Sequence, residues 1–255
     1  MLLAVDIGNT NIVMGCIDGT EILFRERIST DRIATDLEYA SLMLSAISMN
    51  SLSAKDITGA IISSVVPSVT GTVRKAIEKI SGVSAMTVGP GVKTGLSIMI
   101  DNPASLGSDL VVGAVAGINE YAVPQIIIDM GTATTFSVID SKKNFLGGII
   151  MTGMAVSSDA LTSRTSQLPR IAFETPKKVI GTNTVDSMKS GLMFGTASTI
   201  DGLIKRIEAE LGEKCTVIAT GGLASTVCHL CEREIVLDDD LLLKGLRIIY
   251  SKNKH

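Results

Sequence analysis

The residues best placed to do chemistry open the chain. Asp6-Ile7-Gly8-Asn9-Thr10-Asn11 follows an apolar run at 2–5 and precedes a second at 12–18. Such a pattern reads as a β-hairpin with a carboxylate at the end of its first strand. Gly8 lets the backbone turn tightly and approach a ligand. Asn9, Thr10 and Asn11 offer side-chain donors, and turn amides can form a nest for an anion. Asp6 could hold a hydrated magnesium ion, which takes one or two carboxylates and keeps several waters. An ordinary hairpin turn has the same outline, so this motif alone decides little.

The device recurs about half a chain later. Ile126-Ile127-Ile128-Asp129-Met130-Gly131-Thr132-Ala133-Thr134-Thr135 is again an apolar strand ending in Asp-x-Gly, then a Thr-rich turn and a second apolar run at 136–140. The repetition predicts two related halves, and two facing Asp-x-Gly turns would clamp a phosphate. Gly221-Gly222 follows a short apolar strand at 216–219. Glycines there let a flat ligand such as an adenine lie against the backbone, although a plain strand-to-helix turn looks the same. Gly107-Ser108-Asp109 precedes a helical apolar stretch at 111–118. Ser108 or Asp109 could simply cap that helix. Alternatively, Asp109 could take a hydroxyl proton during phosphoryl transfer.

The surrounding elements alternate between strand and helix. Residues 59–66 form an apolar strand stopped by Pro67, and Val69, Val73, Ile77 and Ile80 then mark one helical face. Thr35 and Glu38 make a capping box. It opens a helix predicted to bury Leu37, Ala40, Leu44 and Ile47. Val185, Met188, Leu192 and Gly195 begin a long helical pattern that runs through Leu203 and Ile207 to about Leu211. Alternation of this kind means α/β. The halves are expected to join near 115–125, as 1–117 and 118–255.

Composition removes other classes. The 255 residues are 45% hydrophobic, which excludes a disordered chain. Aromatics are 3% with no Trp, and the net charge is -3. These values argue against a nucleic-acid binder. No apolar run reaches the roughly 18 residues that span a bilayer, and the start lacks a basic leader, so no membrane partner and a cytoplasmic location are expected. Cys228-His229-Leu230-Cys231 has no second ligand pair, the other histidine being His255, and reads as free thiols.

Taken together, the motifs resemble those of the type III pantothenate kinases, of the acetate and sugar kinase/Hsp70/actin superfamily. The likeness rests on Asp6 to Asn11, Ile62-Ser63-Ser64-Val65-Val66-Pro67 and Val88-Gly89-Pro90-Gly91-Val92-Lys93-Thr94-Gly95-Leu96. It continues through Asp101-Asn102-Pro103, Gly107-x-Asp109, Asp129 to Thr135 and Gly147-Gly148. It ends with Leu168-Pro169-Arg170-Ile171, Ile180-Gly181-x-Asn183-Thr184 and Thr220-Gly221-Gly222-Leu223-Ala224.

The resemblance implies two similar ribonuclease H-like (actin-like ATPase) domains with a cleft between them. It implies ATP-dependent phosphorylation of pantothenate, the first step of coenzyme A biosynthesis, by a homodimer. Asp6, Ile7, Gly8, Asn9, Thr10, Asn11, Ile12 and Val13 would form the first phosphate loop for ATP, with Mg2+ at Asp6 through water. Thr132 would contact ATP, with Gly221 and Gly222 beside it. Asp129 would help bind a monovalent cation, K+ or NH4+. Asp109 would be the catalytic base, Gly107, Ser108 and Leu110 would line the pantothenate site, and Thr184 would reach it from the partner subunit.

Departures fall on the substrate side. The family usually has Gly-Ala-Asp-Arg at 107–110, and that arginine helps hold pantothenate; here the fourth residue is Leu110. A tyrosine usual two residues before Asn-Pro is Ile100, and a Pro-Gly after the glycine pair is Thr152-Gly153. Losing a hydrogen bond to a charged group weakens capture by roughly 10- to 150-fold. Two other functions therefore also fit: a kinase of another small alcohol, or a non-catalytic nucleotide-binding paralogue with a regulatory role. The retained Asp109 favours an enzyme.

Overall fold

Both predicted hairpins form, and each lies at the centre of its own sheet. The computed structural model describes residues 1–254, and His255 lies outside the described residues. β1 (Leu2–Ile7) pairs antiparallel with β2 (Asn11–Asp18), and β3 (Glu21–Ser29) pairs antiparallel with β2. After α1 (Asp36–Met49), β4 (Gly59–Ser64) lies parallel to β1, with Asp6 beside Ser63. α2 (Pro67–Ser81) leads to β5 (Met86–Thr87), parallel to β4, and completes the order β3-β2-β1-β4-β5. Parallel pairing needs a crossover, and α1 and α2 supply the two crossovers.

The second sheet repeats that order strand for strand. β7 (Gln125–Met130), β8 (Ala133–Ile139) and β9 (Asn144–Thr152) form the antiparallel meander. α4 (Met154–Arg164) and α5 (Thr184–Leu211) then lead to β10 (Thr216–Thr220), parallel to β7. α6 (Ala224–Cys228) leads to β11 (Val236–Leu237), parallel to β10. The order is β11-β10-β7-β8-β9-β6, in which the edge strand β6 (Ser97–Ile98) has no counterpart in the first sheet. α3 (Ser108–Glu120) precedes β7, and α7 (Leu241–Asn253) follows β11.

The central strands explain why the sheets form. In β1 the residues Leu3 to Ile7 are all buried, and in β7 so are Ile126, Ile127 and Ile128. A strand covered on both faces reads as a continuous apolar run. Each buried isoleucine contributes about 1.5–3 kcal/mol. No described helix is long and apolar enough to cross a membrane.

Contacts divide the chain into two compact units. The first holds Met1–Leu96, Asp101–Asn119 and the segment from Asp240 onward; the second holds Ser97–Ile100 and Glu120–Asp239. These are not the contiguous spans 1–117 and 118–255 read from the sequence. α7 follows β11 in the chain but packs on β1 and β4 of the first sheet. β6 is borrowed in the other direction, pairing with β9.

Among the helices, α2 buries Val69, Val73 and Ile77 as predicted, and α5 spans the predicted pattern. The capping box of α1 is present, with Thr35 N donating to Glu38 Oε2 at 2.7 Å and Glu38 N donating to Thr35 Oγ1 at 3.3 Å. Its buried face is corrected. Tyr39, Ala40, Met43, Ala46 and Ile47 face inward, while Leu37 and Leu44 are 61% and 45% exposed. The two stripes overlap in periodicity. Tyr39 decides between them, because its buried hydroxyl bonds to the backbone of Asp31 at both N and O. Cys228 closes α6 and is buried, whereas Cys231 lies beyond the helix and is half-buried.

Candidate active site

In the first unit, polar residues gather where β1 and β4 leave the sheet. Asp6 is 7% exposed, one residue before the end of β1. Gly8, Asn9, Thr10 and Asn11 make the turn, closed by a hydrogen bond from Gly8 N to Asn11 O at 3.0 Å. Asn9 and Thr10 are exposed and Asn11 is half-buried. Ile7 and Ile12 flank the turn with fully buried side chains, so only their backbone can face a ligand. Val13, opposite Asp6, is half-buried. From the β3–α1 segment, Thr30 Oγ1 donates to Gly8 O at 2.7 Å and Thr30 N to Thr10 O at 3.0 Å. No pattern in the sequence marked Thr30, because its partners lie twenty residues away.

Beside Asp6, the buried Ser63 reaches the start of α3. Its hydroxyl lies 3.0 Å from Ser108 Oγ. Ser64 N donates to Ser108 Oγ and Ser108 Oγ donates to Ser64 O, both at 3.0 Å. Thr70 Oγ1 on α2 lies 2.7 Å from Ser64 Oγ. One chain of hydroxyls thus fixes the end of β4, the first turn of α2 and the start of α3.

Asp109 sits on the first turn of α3, and its Oδ1 accepts from Leu110 N at 2.8 Å. A Cβ on Gly107 would stand 2.4 Å from that Oδ1, so the carboxylate keeps its place only beside glycine. Burial pushes the Asp109 carboxyl above the usual carboxylate range, and the hydrogen bond from the Leu110 amide opposes that in part. A raised carboxylate is a better proton acceptor near neutral pH. Leu110 beside it is half-buried. Ser63, the strand neighbour of Asp6, and Ser108, the chain neighbour of Asp109, thus tie the end of the β1–β4 pair to the start of α3.

The second unit holds the repeat. Asp129 is half-buried, one residue before the end of β7, and Gly131 N donates to Ala133 O at 3.1 Å across a shorter turn. Thr132 is exposed, and its carbonyl accepts from Gly153 N at 3.2 Å. Gly221 has φ +95°, and a Cβ there would lie 2.6 Å from both Asp129 Oδ1 and Met130 N. The turn carrying Gly221 and the exposed Gly222 is thereby pressed against the Asp129 carboxylate. Thr184 begins α5 and is exposed, in a depression lined also by Leu168, Gly181, Thr182 and Ser187. Asn183 caps the helix, its Oδ1 accepting from Asp186 N at 2.9 Å.

Two meander-centred sheets of matching strand order, each with an aspartate one residue before the end of its central strand, are the architecture of the actin-like ATPase fold. Solved structures share that fold. A Campylobacter jejuni protein described as a Baf family transcriptional activator superposes with a TM-score of 0.62 at 16% identity, covering 98% of both chains. A Sinorhizobium meliloti protein described as a 2-dehydro-3-deoxygalactonokinase gives 0.59 at 13% identity, covering 99% of both. Sequence relatives are nearer. A type III pantothenate kinase of Halalkalibacterium halodurans is 44% identical over 99% of this chain and 100% of its own. One from Exiguobacterium sp. (strain AT1b) is 45% identical over 100% of both. The sequence pattern of the type III pantothenate kinase family matches residues 2–206. The chain belongs to that family.

The state of Asp109 has a consequence for stability. Its folded form binds the proton more tightly than the unfolded chain does. The stability it contributes is present at low pH and is lost as pH rises from the ordinary carboxylate range through the raised value. Urea midpoints from about pH 4 to 7 should show wild type losing ground to Asp109→Asn. A gap that does not change with pH would mean that burial leaves this carboxyl unperturbed.

Proposed function

We propose that the chain transfers the γ-phosphoryl group of ATP to the primary alcohol of pantothenate, giving 4'-phosphopantothenate in the first step of coenzyme A biosynthesis. The observation that carries the mechanism is Asp109, a half-buried carboxylate held in the first turn of α3 by the Leu110 amide. Asp109 orients the alcohol and accepts its proton as the oxygen attacks the γ-phosphorus in line, and ADP leaves. The first turn supplies donors to the phosphates from its amides and from Asn9, Thr10 and Asn11. Thr132 meets ATP from the second turn, and the Gly221-Gly222 turn gives a flat surface for its base. Most of the rate enhancement then comes from positioning and fixed electrostatics.

Oxygen donors at Asp6 and Asp129 suit hard cations. Asp6 would hold Mg2+ through water and Asp129 a monovalent ion, K+ or NH4+. When bound, these ions offset phosphate charge. Gly107, Ser108, Leu110 and Thr184 line the pantothenate site, with Thr184 supplied by the partner subunit of a homodimer in the cytoplasm.

Asp109→Asn is nearly isosteric and removes the base. It should lower kcat by about 10²- to 10⁴-fold while the melting temperature at the assay pH does not fall below that of wild type. Retention of more than about a tenth of the rate would leave Asp109 as a helix cap only.

Leu110 bears on substrate capture. No guanidinium stands at that position, and leucine cannot imitate its paired contact with a carboxylate. Leu110→Arg should lower the KM for pantothenate by about tenfold, the effect of about 1.4 kcal/mol. An unchanged, already low KM would show that another residue meets the carboxylate.

A further inference from the structure

The segment joining β3 to α1 has no strand or helix of its own, yet it is tied down along its length. Thr30 is bound to Gly8 O and Thr10 O of the first turn. Asp31 N donates to Tyr39 Oη at 2.8 Å, and that hydroxyl donates back to Asp31 O at 2.7 Å. Tyr39 is 1% exposed, so this tie is anchored in the core. Ile33 N donates to Asp31 Oδ1 at 2.9 Å, and Thr35 opens the capping box of α1.

Between these ties stands Arg32. It is exposed, and its Nη2 lies 3.4 Å from Oδ1 of Asn9, on the exposed part of the first turn. That distance is longer than a usual N–H···O hydrogen bond, and a neutral amide oxygen is a weak partner for a guanidinium. An anionic phosphate oxygen forms bonds roughly twice as strong, and a guanidinium can give two in parallel. Exposed arginines are common and most only solvate a surface. Here the backbone on both sides is pinned, on one side to the turn itself, so the root of the side chain is fixed beside the turn, within reach of it, before any ligand arrives. Less ordering cost then falls on binding.

We infer that Arg32 is a nucleotide-binding residue whose guanidinium meets the terminal phosphates of ATP at the first turn. The inference rests on the reading that this turn holds the ATP phosphates. The other anion in the reaction is the carboxylate of pantothenate, and the test separates the two.

Calorimetric titration of the full chain with ATP and AMP, together with steady-state kinetics, would be run on wild type, Arg32→Ala, Arg32→Lys and Thr10→Ala. Arg32→Ala should weaken ATP by about tenfold, the low end for a charged hydrogen bond, and AMP by less than about twofold. Arg32→Lys should recover only part of the loss, since an ammonium lacks the fork. The KM for pantothenate and the melting temperature should stay at wild-type values. ATP affinity within about twofold of wild type in Arg32→Ala would overturn the inference. So would equal losses for ATP and AMP, which mark a structural role, or a rise confined to the KM for pantothenate. If Thr10→Ala weakens ATP and Arg32→Ala does not, only the role of Arg32 fails. If neither weakens it, the reading of the turn fails and the inference falls with it.

Discussion

A strand covered on both faces can carry a carboxylate only where it leaves the sheet. That constraint organises this molecule. β1 and β7 are buried along nearly their whole length, and each has its one aspartate, Asp6 and Asp129, a residue before its end. Further in, an unpaired charge would cost several kcal/mol. At the end, the carboxylate borders a turn whose amides and hydroxyls can meet an anion or a cation. The parallel neighbours end at the same side, β4 in Ser63 and Ser64 and β10 in Thr220 before Gly221. Ligands of α/β sheets gather at carboxyl ends of parallel strands for this reason.

The two sheets share an order but not a task. The first turn spans four residues between the paired Ile7 and Ile12, and the second spans three between Met130 and Thr134. Around Asp6 the neighbours are hydroxyls that lead to α3 and Asp109. Around Asp129 the neighbour is a glycine turn so close that no Cβ fits at Gly221. The first surrounding places a second carboxylate, the base of the proposed mechanism. The second leaves Asp129 beside a flat backbone surface. The repeated strand order gives the two halves one frame, and the residues packed at each strand end make them different.

Features set by near neighbours in the chain were legible in the sequence. Asp-x-Gly between apolar runs specified both hairpins, and Thr35 with Glu38 specified the cap of α1. The continuous isoleucines of β7 marked an apolar strand, and the structure puts it inside its sheet. Features set by distant partners were not. Periodicity allowed two faces for α1, and the hydroxyl of Tyr39 against Asp31 selected one. Nothing near Asp240 shows that α7 packs on the first sheet, because its partners are β1 and β4 at the other end of the chain. Ser108 reads locally as a helix cap; its bonds to Ser63 and Ser64, which fix where α3 begins, depend on tertiary structure. Arg32 carries no motif, and only the fold sets it beside Asn9.

Turnover of pantothenate itself tests the central claim most directly. ³¹P NMR of the full chain with ATP, magnesium and pantothenate, with and without potassium, follows the γ-phosphoryl group to its product. Transfer to the alcohol predicts a new phosphomonoester resonance from pantothenate, growing in step with ADP. ATP that binds but yields no phosphomonoester from pantothenate, with either salt, would contradict it.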